Sequence, residues 1–219
     1  MVRRSRSATA VAAAVLCAAA MAACTGEQPQ PAPSASPPAL SAQKLPDVGD
    51  VPGMVRSGDF LVMPGSGLPC SSAQSQISAM ESAAKRPPAS AAVRLSTPDR
   101  GREVIVGVWT YTRNNGSRAP EKQLDALARL LPGCTFDSRV AGRPVKAAVD
   151  VPAVTGAPDG TRVFRVTDRG AAGVLRQAVI IYITRPGSLL AMEDTRVGPA
   201  FPVDETVKLA AAALAKAGV

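Results

Sequence analysis

Glu103 to Thr112 reads EVIVGVWTYT, a run in which β-branched and aromatic residues dominate. Residues of these types favour a β-strand. The four residues Pro98-Asp99-Arg100-Gly101 just before the run have strong turn chemistry. Residues 89–97, before that turn, predict another strand. The stretch therefore predicts a β-hairpin, and the rest of the fold can be worked out from it.

A helix is predicted on each side of this hairpin. The first covers 70–86, where apolar residues recur at helical spacing until Pro87-Pro88, namely at Ala73, Ile77, Met80 and Ala84. The second covers 120–131, since a proline suits the first helical position and Pro132-Gly133 ends the segment. Its apolar face is formed by Leu124, Leu127, Ala128 and Leu131.

Three more strands and a last helix follow. The strands are predicted at 160–167, 174–184 and 188–193, joined by turns at Asp168-Arg169-Gly170 and Arg185-Pro186-Gly187. The helix is predicted at 205–217, with Asp204 as its N-cap and Gly218 as its stop. Asn114-Asn115-Gly116 predicts one more turn. Strands joined by hairpins indicate one α+β domain, a mostly antiparallel β-sheet with helices packed on a face.

The first 23 residues have the composition of a bacterial lipoprotein signal peptide. Arg3, Arg4 and Arg6 precede an Ala-rich apolar stretch that is short for a membrane span, and small residues lead directly to Cys24. We expect cleavage before Cys24 and attachment of a diacylglycerol to its thiol. The alternative is an ordinary secretory signal that leaves Cys24 unmodified. The sequence leaves the export route, Sec or twin-arginine, open.

Residues 25–43 read TGEQPQPAPSASPPALSAQ and contain almost no large apolar side chains. Such a segment cannot bury enough surface to fold. The predicted organisation is a signal peptide at 1–23, a lipidated cysteine and disordered tether at 24–43, and an extracytoplasmic domain at 44–219. The protein is thus expected on the outer face of the cell membrane, held there by its lipid.

The composition excludes several classes of function. The chain contains no histidine, which removes Ser-His-Asp and Cys-His nucleophile systems and His-ligated metals. No Ser-x-x-Lys or Gly-x-Ser-x-Gly motif is present either. We expect no enzymatic activity, no cofactor and no metal site. The formal net charge of +8 is spread along the chain and only 3% of residues are aromatic, so a nucleic-acid partner is not expected.

Cys70 and Cys134 are the cysteines of the predicted domain. They form no Cys-x-x-Cys pair, and two cysteines are too few for a zinc site made of cysteines alone. In an oxidising exterior two lone cysteines pair. We therefore expect a Cys70–Cys134 disulfide.

Three aromatic side chains are candidates for lining a ligand cleft. Trp109 and Tyr111 alternate onto one face of their predicted strand, and Tyr182 lies on a later strand. Packing in the core is the preferred interpretation of all three. Glu193-Asp194 suggests acid–base chemistry or calcium binding, but adjacent strand residues point to opposite faces. A solvated strand end is the preferred interpretation of that pair.

Four features resemble a group of actinobacterial lipoproteins and the PknH-like extracellular sensor domains of mycobacterial kinases. They are Cys70 at a helix start, the strand VIVGVWTYT, the helix EKQLDALARLLPGC ending on Cys134, and the strand LRQAVIIYITRPG. The resemblance covers roughly residues 45–219. Those sensor domains carry two disulfides, and a tryptophan commonly precedes the second of these cysteines, where this chain has Leu131-Pro132-Gly133. The resemblance implies an extracytoplasmic binding or sensing module.

Two functions remain open at this stage. The first is a lipid-anchored binding or sensor domain with a cleft for a small or lipidic ligand. The second is an envelope adaptor that binds another protein through a surface without a pocket. A deep cavity in the fold would favour the first, whereas a shallow exposed apolar patch would favour the second.

Overall fold

A computed structural model describes residues 44–45, 51–59, 62–86, 89–112 and 119–218, which belong to one unit, Ser36–Val219. The predicted leader, lipidation site and tether, at 1–43, lie outside these residues, as does the predicted turn at 114–116. In chain order the elements are β1 (Val55–Asp59), α1 (Ser71–Ala83), β2 (Ala91–Ser96), β3 (Arg102–Thr110), α2 (Pro120–Leu130), β4 (Thr135–Val140), β5 (Arg143–Asp150), β6 (Thr161–Gly170), β7 (Gly173–Arg185), β8 (Ser188–Val197) and α3 (Val203–Ala217).

The eight strands form one sheet in the order β1-β2-β3-β8-β7-β6-β5-β4. Every pair of neighbouring strands is antiparallel. The prediction of an α+β domain with an antiparallel sheet is therefore confirmed. The pairing of β3 with β8 joins the three N-terminal strands to the other five.

Helices cover both faces of the sheet, whereas the sequence predicted packing on a face without distinguishing the two. α1 and α2 pack through Ile77, Met80 and Leu127 against one face. α3 packs through Val207 and Leu214 against the opposite face. The middle strands are consequently buried on both sides.

Two local predictions were wrong, and three strands were not predicted. Asp168-Arg169-Gly170 belongs to β6 rather than to a turn, because Arg176 on β7 pairs with the Asp168 carboxylate and allows it to be buried. α3 begins at Val203 after Pro202, so Asp204 lies in its first turn and is not its N-cap. The strands β1, β4 and β5 were missed because they lie toward the edges of the sheet and contain many polar residues.

The Cys70–Cys134 disulfide is present and fixes the layer formed by α1 and α2. Cys70 is the residue just before α1, and Cys134 lies between α2 and β4. Their Cα atoms are 6.4 Å apart, within the range of ordinary disulfides. The bond therefore ties the start of one helix to the end of the other.

Trp109 lies over a glycine of its own strand. Its side chain is 1% exposed, between β3 and α1. A Cβ at Gly107 would lie 2.7 Å from Cη2 of Trp109 and 2.6 Å from Cβ of Ala92. Glycine is therefore needed at 107 so that the indole can lie against the strand.

We predict that Trp109→Ala lowers the free energy of unfolding by about 3–5 kcal/mol, because it leaves a cavity in a closely packed core. Chemical denaturation followed by circular dichroism measures this loss. Trp109→Phe is the control, and it should cost less because the ring partly fills the space. A loss below about 1 kcal/mol for Trp109→Ala would mean that the indole is not part of the core.

Candidate functional site

A groove with a volume of about 530 Å³ lies on the face of the sheet that α1 and α2 cover only in part. Its floor consists of side chains from β2, β3, β4, β6, β7 and β8. Its cover is the segment 62–69 between β1 and α1, here called the covering loop. The floor is formed by Arg94, Glu103, Ile105, Phe136, Asp137, Ser138, Val166, Asp168, Arg176, Ala178, Ile180, Glu193 and Thr195.

Three hydrogen bonds hold the covering loop to the rest of the domain. The backbone N–H of Met63 donates to Oε1 of Glu81 at 2.5 Å. The hydroxyl of Tyr182 donates to the carbonyl of Pro64 at 2.5 Å, and the N–H of Gly65 donates to Oε2 of Glu193 at 3.1 Å. The loop is therefore fixed by side chains of α1, β7 and β8, and it forms a stable side of the groove.

Gly65 is required at the point where the covering loop approaches the floor. Its φ is +80°, in the region that side-chain-bearing residues rarely adopt. A Cβ there would lie 2.9 Å from the hydroxyl oxygen of Tyr182. A larger residue at 65 would therefore move the loop away from both Tyr182 and Glu193.

Glu193 is an enclosed carboxylate at the centre of the floor. Burial raises its pKa above the ordinary value, and the hydrogen bonds from Gly65 and from the Thr195 hydroxyl oppose this rise. Protein atoms surround the side chain, while part of it stays accessible. The hydrogen bond from Gly65 in the covering loop thus stabilises the ionised form of Glu193. The charge of Glu193 in turn favours the position of the loop over the groove.

Asp168 and Arg176 form an ion pair at the other side of the groove. The Asp168 side chain is only 2% exposed, and its Oδ2 accepts from Nε of Arg176 at 2.5 Å. Nη2 of Arg176 donates to Oγ of Ser138 at 3.0 Å. Oδ1 of Asp168 is buried and has no hydrogen-bond partner within the described residues. A buried carboxylate oxygen without a donor is costly, so a ligand that supplies a donor would gain affinity here.

The groove combines charged and apolar side chains. Arg94 pairs with Glu103 at 3.6 Å along one side, and Ile105, Phe136 and Ile180 supply apolar surface. Such a mixture suits a ligand with an apolar body and a polar group that donates hydrogen bonds. In the described part of the chain, no three or more Asp, Glu, Cys or His side chains come together as they would to hold a metal ion.

The aromatic side chains predicted as cleft candidates lie in the core instead of along the groove. Trp109, Tyr111 and Tyr182 are all buried beside α1 and α2. Trp109 also borders a smaller cavity of about 250 Å³ near the end of α1. Burial raises the pKa of Tyr111 and of Tyr182, so both phenols stay neutral. Tyr182 supports the groove by holding Pro64, although it does not line the groove.

Glu193 and Asp194 point to opposite faces, as the sequence predicted, but the interpretation as a solvated strand end was wrong. Glu193 faces the groove, and Asp194 is fully buried on the face that α3 covers. Nε and Nη2 of Arg102 donate to Asp194 at 3.0 and 2.8 Å. Nη2 of Arg196 and the hydroxyl of Thr206 donate at 3.1 Å each. Burial is possible because donors satisfy both carboxylate oxygens.

The sequence interpretation missed Asp168, Arg176 and Glu193 as groove residues. The sequence does contain a signal for Arg176, which stands two residues before the apolar run Ala178 to Ile183, where an unpaired charge would be costly. Its partner Asp168 was assigned to a turn. The pair could have been found by aligning 161–170 with 173–185 as a hairpin.

We predict that Glu193 makes the stability of the domain depend on pH. Because its folded-state pKa is raised, its contribution is fully present below the ordinary glutamate pKa and is lost as the pH rises through the folded pKa. Glu193→Gln cannot ionise and lacks this loss. The melting temperature of the variant relative to that of the wild type should therefore rise between about pH 4 and pH 8. A difference that stays constant with pH would show that Glu193 ionises normally.

The fold is similar to that of the extracellular domain of PknH from Mycobacterium tuberculosis. The superposition has a TM-score of 0.55 and 13% sequence identity, and it covers 81% of this chain and 95% of that domain. An Rv0999 ortholog from Mycobacterium smegmatis aligns with a TM-score of 0.37 and 14% identity over 77% of this chain and 91% of its own. No family model matches the sequence, and no curated protein matches it. The comparison with the PknH domain confirms the fold.

Proposed function

We propose that this chain is a lipid-anchored, non-catalytic binding or sensor domain on the outer face of the cell membrane, and that the groove is its ligand site. The observation that carries the proposal is the buried Oδ1 of Asp168, which lacks a donor in a groove of about 530 Å³. The shared fold with an extracellular domain supports an extracytoplasmic position. The Cys70–Cys134 disulfide supports it as well, since disulfides persist in oxidising compartments.

The ligand is an amphiphilic small molecule whose head group donates hydrogen bonds. A donor such as an ammonium or hydroxyl group would complete Asp168, and an apolar body would lie on Ile105 and Ile180. The ion pair with Arg176 keeps Asp168 in place and offsets part of its charge. The lining as a whole contains four carboxylates and two guanidinium groups, and this excess of acidic side chains favours an ammonium head group.

The adaptor alternative receives less support from the surface. Large apolar side chains that are exposed in the described residues lie on separate elements of the fold, at Val55, Val62, Leu130, Val151 and Val197, and of these Val55 and Val197 share one end of the sheet. Val62 belongs to the covering loop, and Leu130 is the last residue of α2. A protein-binding face without a pocket would instead present a continuous apolar patch.

We predict that dansylcadaverine, a fluorophore with a primary ammonium group on an apolar chain, binds the groove saturably with a blue-shifted emission. Ala178→Phe puts a ring into the groove and should weaken this binding about tenfold or more. Ala178 lies on the floor between Val166 and Thr195. Fluorescence titration of the wild type and the variant measures the change.

Ala148→Phe is the matched control. Ala148 is exposed on β5 and points away from the groove, because its neighbour Ala147 is the residue that packs in the α1/α2 core. This variant should bind like the wild type, and melting temperatures check that both variants are folded. Equal binding by wild type and Ala178→Phe would refute the groove as the site.

We predict that Cys24 holds the protein in the membrane through its lipid. The wild type should partition into the detergent-rich phase of a Triton X-114 separation, and Cys24→Ala should stay in the aqueous phase. Each buried methylene contributes about 0.8 kcal/mol, so two or three acyl chains give a stable anchor. No helix within the described part of the chain is both long enough and apolar enough to span a bilayer. If the wild type stays in the aqueous phase, the anchor is absent.

A further inference from the structure

Several turns of the sheet lie at one end of it. Since neighbouring strands are antiparallel, the turns β2–β3, β4–β5 and β6–β7 all fall at the end where β8 stops. The chain also enters the sheet here, because Val55, the first residue of β1, pairs with Ser96, the last residue of β2. We call this region the turn end.

The turn end carries Arg56 on β1 and four further exposed arginines. Arg100 lies in the β2–β3 turn, Arg139 and Arg143 flank the β4–β5 turn, and Arg169 is near the end of β6. Arg139 donates to the carbonyl of Gly142 at 3.3 Å. None of the four forms an ion pair with another residue of the described chain. Their charges are therefore available to a partner.

Carboxylates near the turn end do little to neutralise these arginines. Asp194, Glu205 and Glu103 each pair with another arginine. Of the described carboxylates close to this end, Asp99, Asp137, Asp204 and Glu205 are exposed, and Asp137 pairs with Lys146. The turn end thus has a net positive charge, which is concentrated at the protruding turns.

Two exposed apolar side chains lie among the arginines. Val55, at the start of β1, is 49% exposed, and Val197, at the end of β8, is 55% exposed. Basic side chains next to exposed apolar ones are the composition with which proteins contact the interface of an anionic membrane. The end at which the chain enters the sheet is therefore also the end best suited to a lipid surface.

We propose that the turn end docks on anionic phospholipid headgroups, so that this end of the sheet faces the bilayer. This proposal depends on the proposed function, because the lipid anchor and tether would hold the domain at the outer leaflet. Arg100, Arg139, Arg143 and Arg169 bind phosphates, and Val55 and Val197 contact the interface. The groove lies close to this end, because Ser138 and Asp168 of its floor directly precede Arg139 and Arg169.

The test uses the chain from residue 24 onward with Cys24→Ser, so that binding does not depend on a lipid anchor. Cosedimentation with phosphatidylglycerol/phosphatidylcholine vesicles is compared with cosedimentation with phosphatidylcholine vesicles. We expect binding to the anionic vesicles at low salt and its loss at high salt. Replacing all four arginines by glutamine should lower the partition coefficient about a hundredfold or more, since each basic residue near an anionic surface contributes about fivefold.

The control variant carries the same change in charge elsewhere, with glutamine at Lys85, Arg86, Lys122 and Arg129. These residues lie at the end of α1 or on α2, and all four are exposed. This variant should keep most of the vesicle binding. Equal losses in the two variants would mean that net charge alone attracts the protein, and this would overturn the proposal.

Two further outcomes would also overturn it. Equal binding to the phosphatidylcholine vesicles would show that the negative charge of the lipid surface has no role. Tighter binding to soluble poly-glutamate than to the vesicles, with the same difference between the variants, would assign the turn end to an acidic polymer. Dansylcadaverine titration of the same variants tests the groove separately from the turn end. The groove should bind the probe whether or not the turn end binds lipid.

Discussion

Strand β7 buries seven consecutive residues, from Gln177 to Ile183, because helices cover the sheet on both faces at that strand. β3 has a run of six buried residues at its centre, whereas β5 keeps the alternation of buried and exposed residues. The burial of the middle strands on both faces is the constraint from which the rest of the architecture follows. Burial on both faces requires a helical layer on each side of the sheet. α1 and α2 together do not cover the whole of their face. The uncovered part of that face is the groove.

Burial on both faces also determines what polar groups the middle strands can hold. On the α3 side, Asp194 and Gln177 are buried with their partners supplied by neighbouring elements: the Asp194 carboxylate accepts from Arg102 and Thr206, and the Gln177 amide donates to the carbonyl of Phe201 at 2.9 Å. These bonds offset the cost of desolvation and attach α3 to the sheet in one position. On the groove side, Asp168 has a partner for one oxygen and not for the other. Asp194 is therefore a structural carboxylate, whereas Asp168 has one oxygen that could still accept a hydrogen bond from a ligand.

The hairpin of β2 and β3, the helix α2 and the strand β7 could be predicted from the sequence because each is marked by residues that act locally. Turn residues follow β2, proline and leucine spacing mark α2, and an unbroken apolar run marks β7. β5 was missed although the buried residues Val145, Ala147 and Val149 alternate with exposed ones, because the exposed Ala148 is itself apolar and hides the alternation in the sequence. The groove could not be predicted in the same way, because it depends on which strands are neighbours in space.

The distinction matters most for charged residues. Glu193 and Asp194 read alike in the sequence, and only the pairing of β8 with β3 and β7 shows that one faces the groove and the other faces α3. The prediction that adjacent residues face opposite sides was correct, because the alternation of a strand is a local property. The prediction that they are solvated was wrong, because burial depends on elements that are distant in sequence.

The hydrogen bond between Gly65 and Glu193 joins residues 128 positions apart, and this separation has a consequence for folding. A ribosome releases the chain from its N-terminus, so β1, β2 and β3 are made long before β8, the strand through which they join the other five. The covering loop cannot form its hydrogen bond with Glu193 until β8 has been inserted between β3 and β7. Contacts of such long range make folding slow, and we expect the covering loop to reach its place over the groove only in the last step, once the whole domain is present.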